Sequence, residues 1–222
     1  MRTVLLDVDG TLVDSATTIV EHLAAAIAEV GFPVPDAARL RRLVGPPFET
    51  ALPELGLTPE QTAAAIVAYR TSYDAVAATV TPAYPGVPAL LERLREDGLR
   101  LATATSKPEE LARKIVEGVG IADHFDLIGG ADHVTGRVGK AAVVRSVLDR
   151  LHLDPARDPV VLVGDRLHDV EGGAAHGVPT IGVGWGYAEP GELAGARTVV
   201  ADLDELAALL RGDGVWSTTA RG

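Results

Sequence analysis

The stretch Thr3-Val4-Leu5-Leu6-Asp7-Val8-Asp9-Gly10-Thr11-Leu12-Val13-Asp14 decides how the rest of the chain is read. Val4 to Leu6 is a short apolar run, the pattern of a strand buried in a parallel sheet. The run ends at an acidic residue, repeats one two places later, and meets Gly10. Side chains two apart on a strand point to the same side, so Asp7 and Asp9 can address one spot beyond the strand's carboxyl end. Open α/β sheets bind their ligands there. Two carboxylates about 4 Å apart repel by roughly 4 kcal/mol at an effective dielectric near 20, and a divalent cation is the natural remedy. Asp-Gly is also a common turn dipeptide, so the decision passes to the remaining residues.

The composition sets the outer limits. A chain of 222 residues suffices for one good core, or for a core carrying a smaller insert. The hydrophobic fraction of 47% with mixed charges is that of an ordinary globular protein. With no cysteine there is neither a disulfide nor a thiolate metal site. No apolar run approaches the ~20 residues that span a bilayer, and the apolar N-terminus is too short for a signal peptide, so no membrane association and a cytoplasmic location are expected. The net charge of -11 argues against nucleic acid as a partner. It leaves an anionic substrate open, because screening acts over about 8 Å and charges inside a pocket outweigh the global balance. Three lysines, Lys107, Lys114 and Lys140, stand against 17 arginines, which makes the place of each lysine informative.

Beyond Asp14 the pattern turns helical. Ser15 reads as an N-cap, followed by Ile19, Leu23, Ile27 and Val30 at helical spacing up to Gly31. Further helices are expected over 37–44 and 48–55, then a long one from the Thr58 cap and Pro59 to about Val80. From Thr81-Pro82 onward strands alternate with helices: strands over 99–104, 125–128, 160–163, 180–183 and 198–200, and helices over 87–96, 108–117, 140–151, 170–176 and 203–210. Such alternation implies a parallel, doubly wound sheet. The fold class is therefore α/β, a Rossmann-like three-layer core with a parallel sheet (residues 1–14 and 82–222) plus an inserted α-helical cap domain (15–81). Residues 212–222 show no periodicity and are expected to form a frayed tail.

Four later positions bear on the opening motif. Thr105 and Ser106 follow a strand and precede Pro108, which places them at a helix N-terminus whose free N–H groups form an anion site, or else merely cap it. Lys140 opens a helix where its charge opposes the helix dipole by roughly 0.3–1 kcal/mol. Asp165 and Asp169 straddle the end of the strand over 160–163, and Asp169 also suits an N-cap. The run from Gly182 to Glu192, rich in glycine with two aromatic residues, packs a loop or faces substrate.

Taken in order, these segments resemble the motifs of the haloacid dehalogenase-like hydrolase superfamily. Asp7-Val8-Asp9-Gly10-Thr11-Leu12 matches its first motif and Thr105 the Ser/Thr of its second. Lys140 matches the third-motif lysine, and Gly164-Asp165-x-x-x-Asp169 the fourth motif. The stretch 182–192 resembles one found in phosphoglycolate phosphatase-like members, and a helical insert after the first motif is that subfamily's cap. The resemblance implies an Mg²⁺-dependent phosphatase acting on a small phosphorylated metabolite (phosphoglycolate, a nucleotide or a sugar phosphate) through an aspartyl-phosphate. It makes Asp7 the nucleophile and Asp9 the general acid and base. Gly10, Thr11, Thr105, Ser106 and Lys140 would hold phosphate. Asp7, Asp9 through its carbonyl, Asp165 and Asp169 would hold the metal, Asp169 directly or from one step behind. A phosphosugar mutase shares all four motifs. A haloacid dehalogenase usually lacks the second aspartate, and a phospho-receiver domain places its acidic pair differently and has no helical insert. Either a monomer or a homodimer is expected, and Arg39, Arg41 and Arg42 could meet a second anionic group or simply form a solvated face.

Overall fold

A computed structural model describes residues 1–216. Strand β1 (Thr3–Leu6) leads into four cap helices: α1 (Ala16–Glu29), α2 (Ala37–Arg41), α3 (Phe48–Leu55) and α4 (Pro59–Val80). The core resumes with α5 (Val87–Glu96), β2 (Arg100–Pro108), α6 (Glu109–Gly118), β3 (Leu127–Ala131), α7 (Lys140–Leu151) and β4 (Val160–Gly164). It closes with α8 (Leu167–Ala174), β5 (Thr180–Val183), β6 (Thr198–Val200) and α9 (Leu203–Arg211). Among the described residues the six strands form one parallel sheet in the order β3-β2-β1-β4-β5-β6, so the chain starts at the centre and the strand order reverses beside β1. Ligand crevices form at such reversals.

Burial alternates along β1 as a two-residue period requires. Val4 and Leu6 join the cluster with α5, α6 and α9, while Leu5 joins the opposite one with Val143, Val144, Val147 and Leu148 of α7. Each fully buried aliphatic side chain contributes about 1.5–3 kcal/mol, so both faces of the central strand are anchored. The chain leaves the core and returns to it side by side. Asp14 N–H donates to Pro82 O at 3.0 Å and Tyr84 N–H to Leu12 O at 3.0 Å, a two-stranded neck between core and cap. No helix among the described residues is long and apolar enough to cross a membrane.

Several elements depart from the sequence reading. Strand β2 runs on to Pro108, and α6 starts only at Glu109. The residue before a proline is pushed towards extended backbone, so Lys107 stays in the strand, and Thr105 and Ser106 are not at a helix N-terminus. Strand β3 begins two residues later and ends three later than expected, and includes Gly129 and Gly130. A side chain at Gly129 would strike Val147, and one at Gly130 the backbone of Lys107 and Glu109. Helix α2 ends at Arg41, short of Val44. Helix α8 begins at Leu167, three residues early, because the Asp169 carboxylate accepts the Arg166 N–H at 3.0 Å. The expected tail is partly ordered: Gly214–Trp216 forms a 3-10 turn, Val215 and Trp216 are buried, and Trp216 Nε1 donates to Leu210 O at 3.0 Å. The expectation for residues 217–222 lies outside the described residues.

Replacing Trp216 by alanine is therefore expected to lower stability by about 3 kcal/mol in urea unfolding, the usual cost of truncating a buried aromatic. A loss under 0.5 kcal/mol would show the turn to be uncoupled from the core.

Candidate active site

Register alone brings the first acidic residues together. Leu6 of β1 lies opposite Val163 of β4, and Asp7 N–H donates to Val163 O at 2.9 Å, so the strands release Asp7 and Asp165 side by side. One turn into α8, Asp169 faces the same spot. The carboxylates of Asp7, Asp165 and Asp169 lie within 4.8 Å of one another, all three buried. Lys140, at the start of α7, is buried too. Its Nζ sits 2.9 Å from Asp7 Oδ1 and 2.6 Å from Asp169 Oδ1, and donates to Ala104 O at 2.9 Å. The lysine that opposes its own helix dipole thus turns inward to Asp7 and Asp169, and Gly172 gives it room, since a side chain there would meet its Cβ and Cγ.

The charges do not balance. Burial pushes the Asp165 carboxyl well above the usual carboxylate range, and the charges of Asp169 and Asp7 add to the shift. Burial likewise pushes Asp169 up to about 6, against the opposing pull of Lys140 and with Asp7 adding to the rise. For Lys140, burial disfavours the ammonium, but Asp169 and Asp7 outweigh it and hold its pKa above that of an ordinary lysine. Fully ionised, three carboxylates against one ammonium would carry two net negative charges in a buried set of oxygen donors. A hard divalent cation fits both that charge and that donor set.

Asp9 stands apart. Its carboxylate accepts a 2.5 Å hydrogen bond from Ser15 Oγ and pairs with Lys107 Nζ at 3.1 Å, towards the cap. Any role for Asp9 at the acidic cluster therefore falls to its carbonyl. Lys107 is buried, donates to Tyr73 OH of α4 at 3.1 Å and lies 4.7 Å from that ring. Burial works against its charge, but Asp9 and Tyr73 reverse the balance and raise its pKa. Ser15, expected as an N-cap, makes no capping bond with its side chain. The Tyr187 hydroxyl takes that place, accepting from Ser15 N–H at 2.9 Å and Ala16 N–H at 3.1 Å while donating to Asp14 Oδ1 at 3.0 Å.

The phosphate-holding candidates divide. Thr11 Oγ1 points to Asp165 Oδ1 at 3.4 Å, while the N–H groups of Gly10 and Thr11 are engaged within the loop by Val13 O and Val8 O. Gly10 is needed there: its φ is +76° and a side chain would collide with the Asp165 carboxylate. Thr105 is buried, its hydroxyl accepting the Lys107 N–H at 3.2 Å, and Ser106 lines a cleft under the cap. The run 182–192 supports the cluster from behind. Tyr187 N–H donates to Asp165 Oδ2 at 2.7 Å, Trp185 Nε1 donates to Thr11 O at 3.2 Å, and Gly186 packs on Asp165. Of the cap arginines, Arg39, Arg41 and Arg42 are all exposed and none lines the cleft; the Arg41 guanidinium lies 5.1 Å from the Tyr187 ring. Arg70 of α4 lines it in their stead.

Sequence reasoning passed over Lys107, Tyr73 and Arg166. Arg166, between the two acids of the fourth motif, pairs with Glu192 at 2.7 Å and extends its guanidinium to the carbonyls of Val44 and Arg42, joining cluster to cap. The scarcity of lysine was the one available signal for Lys107.

Comparisons with known proteins place the chain in a family. A family model described as "Haloacid dehalogenase-like hydrolase" matches residues 4–183. The chain is 42% identical over 207 residues to a Mycobacterium tuberculosis protein named tyrosine-protein kinase PtkA, covering 91% of this chain and 70% of that one. It is 34% identical over 191 residues to a 5′-nucleotidase of Pseudomonas aeruginosa, covering 86% of each. It is 32% identical over 216 residues to a phosphoglycolate phosphatase of Rhodospirillum rubrum, covering 92% of this chain and 89% of that one. A crystal structure of a predicted phosphatase from Clostridium acetobutylicum superimposes with a TM-score of 0.87 at 32% identity, over 94% of this chain and 97% of that one.

Tyr187→Phe leaves two amides at the start of α1 without their acceptor. A stability loss of about 1–3 kcal/mol is expected, read by thermal and urea unfolding; an unchanged transition would show that the hydroxyl is not their cap.

Proposed function

The chain belongs to the haloacid dehalogenase-like hydrolase family, and on that premise we propose that it is an Mg²⁺-dependent phosphatase working through an aspartyl-phosphate. The reading rests on one observation above the others: a buried ammonium shared by Asp7 and Asp169, with Asp165 alongside and Asp9 turned to the other side, towards the cleft. The family and the relatives named phosphatases support phosphate-ester hydrolysis.

An oxygen of Asp7 attacks phosphorus, and the bond from phosphorus to the ester oxygen breaks. Asp9, bordering the cleft where the leaving group lies, gives that oxygen a proton. Asp9 then takes a proton from water, whose oxygen attacks the phosphorus of the acyl phosphate, releasing orthophosphate and restoring the Asp7 carboxylate. Lys140 holds Asp7 in place and offsets charge on the transferring group, as a preorganised stabiliser does. Ser15 and Lys107 fix the Asp9 side chain. Asp7, Asp165, Asp169 and the Asp9 carbonyl are the groups that would hold Mg²⁺, which when bound neutralises the cluster and polarises the phosphoryl oxygens.

Asp7→Asn is expected to abolish phosphate release in a folded protein, and Lys140→Ala to lower kcat by on the order of 10²-fold or more. Near-normal release by the Asp7 variant would remove the mechanism. A second reading, transfer to a protein acceptor, is favoured by the 42% identity to a protein named as a kinase. Orthophosphate formed from a small ester with no protein acceptor decides for hydrolysis, and an isomeric sugar phosphate would mark a mutase.

The metal has a separate signature in stability. A carboxyl with a raised pKa holds its proton more tightly when folded, so its contribution is complete below the unfolded value near 3.9. It is lost as pH rises through the folded value, about 6 for Asp169. Metal-free protein should therefore lose stability between pH ~4 and about 6, and Mg²⁺ should restore it. Asp165→Asn without metal at pH 7 should melt above the wild type and gain little from Mg²⁺. A variant that melts lower and still responds fully would overturn the metal assignment.

A further inference from the structure

The cleft between cap and core begins at Asp9 and Ser106 and is therefore on the leaving-group side of the acidic cluster. Its ionisable lining is Asp9, Glu49 and Asp74 against Lys107 and Arg70, with His133 beside Arg70. Both cations are already matched within the cleft: Lys107 by Asp9 at 3.1 Å and Arg70 by Glu49 at 2.9 Å. A leaving group bearing its own negative charge would have to displace one of these carboxylates, and would still face Asp74. The exposed arginines of the cap, Arg39, Arg41 and Arg42, do not reach the cleft.

The remaining wall is apolar and aromatic. Phe48 stands edge-on to Tyr69, with ring centroids 4.8 Å apart at 90°, and Ile19, Leu111 and Val138 continue the surface. Phe48 is half-buried and lines the cleft, where a bound molecule would contact it. A flat ring packed there would gain the burial and ring contacts that aromatic side chains offer.

We propose, resting on the phosphatase reading above, that the ester's leaving group is an uncharged, ring-bearing alcohol, such as a nucleoside or a phenol, rather than a small hydroxy acid. The cleft selects it by its aromatic wall and by lacking an unmatched cation for a second anion.

The test compares phenyl phosphate, uridine 5′-monophosphate and 2-phosphoglycolate as substrates of the full chain with Mg²⁺. The expected result is a kcat/KM for at least one ring-bearing ester that is tenfold or more above that for 2-phosphoglycolate; whichever of the two is preferred identifies the source of the ring. Phe48→Ala should lower kcat/KM about fivefold for the ring ester, mainly through KM, and by less than twofold for 2-phosphoglycolate, since ring contacts of this kind are worth roughly 2- to 13-fold. Glu49→Gln, an exposed change that frees Arg70, should raise kcat/KM for 2-phosphoglycolate at least threefold. Equal or better turnover of 2-phosphoglycolate by the wild type overturns this proposal alone. Hydrolysis of none of the three esters overturns it together with the phosphatase reading.

Discussion

Three carboxylates held within 4.8 Å of one another, with one buried ammonium among them, form the constraint around which the molecule is assembled. Water would keep such charges apart; the pairing of β1 with β4 forces two of them together, and the first turn of α8 adds the third. The arrangement requires a cation delivered from elsewhere in the fold. Helix α7, packed across β2 and β3, supplies Lys140 from the far side of the sheet centre. The glycines nearby follow from the same crowding: Gly10, Gly164, Gly172 and Gly186 each stand where a side chain would strike Asp165, Asp169 or Lys140.

What could be read from the sequence was whatever is local in the chain. The apolar run before Asp7, the apolar run before Asp165 and the helical spacing through the cap each express a rule spanning a few residues, and the sheet and cap followed from them. Lys140 could be placed because a positive charge at a helix start is out of keeping with the dipole. The partners of Asp9 could not, because Lys107 reaches it only after β2 has paired, and Tyr73 arrives from the cap. The Thr105-Ser106 segment was misread for a local reason: Pro108 suits a first helical turn, yet it also holds Lys107 extended, and the second effect prevails. Ser15 shows the limit of capping rules, since a hydroxyl 172 positions away takes the role its own side chain was expected to fill.

Core and cap are tied by charged and polar side chains as well as by the neck at residues 12–14 and 82–84. The Lys107 ammonium links the Asp9 carboxylate to the Tyr73 hydroxyl of α4. The Arg166 guanidinium links the segment between β4 and α8 to the carbonyls of Arg42 and Val44, where the wall of the cleft begins. Asp9 and the acidic cluster thus each have their own attachment to the cap above them.

The Tyr187 hydroxyl at the foot of α1 also bears on how a newly made chain matures. Thr3 pairs with Arg100 and Val160, and the amides of Ser15 and Ala16 find their acceptor only at residue 187. At ribosomal speeds of about 5–20 residues per second, the amides of Ser15 and Ala16 wait roughly 10–35 s for residue 187 to be made. The contiguous cap helices can associate earlier, whereas Asp7 meets Asp165 and Asp169 only once β4 and α8 have been made.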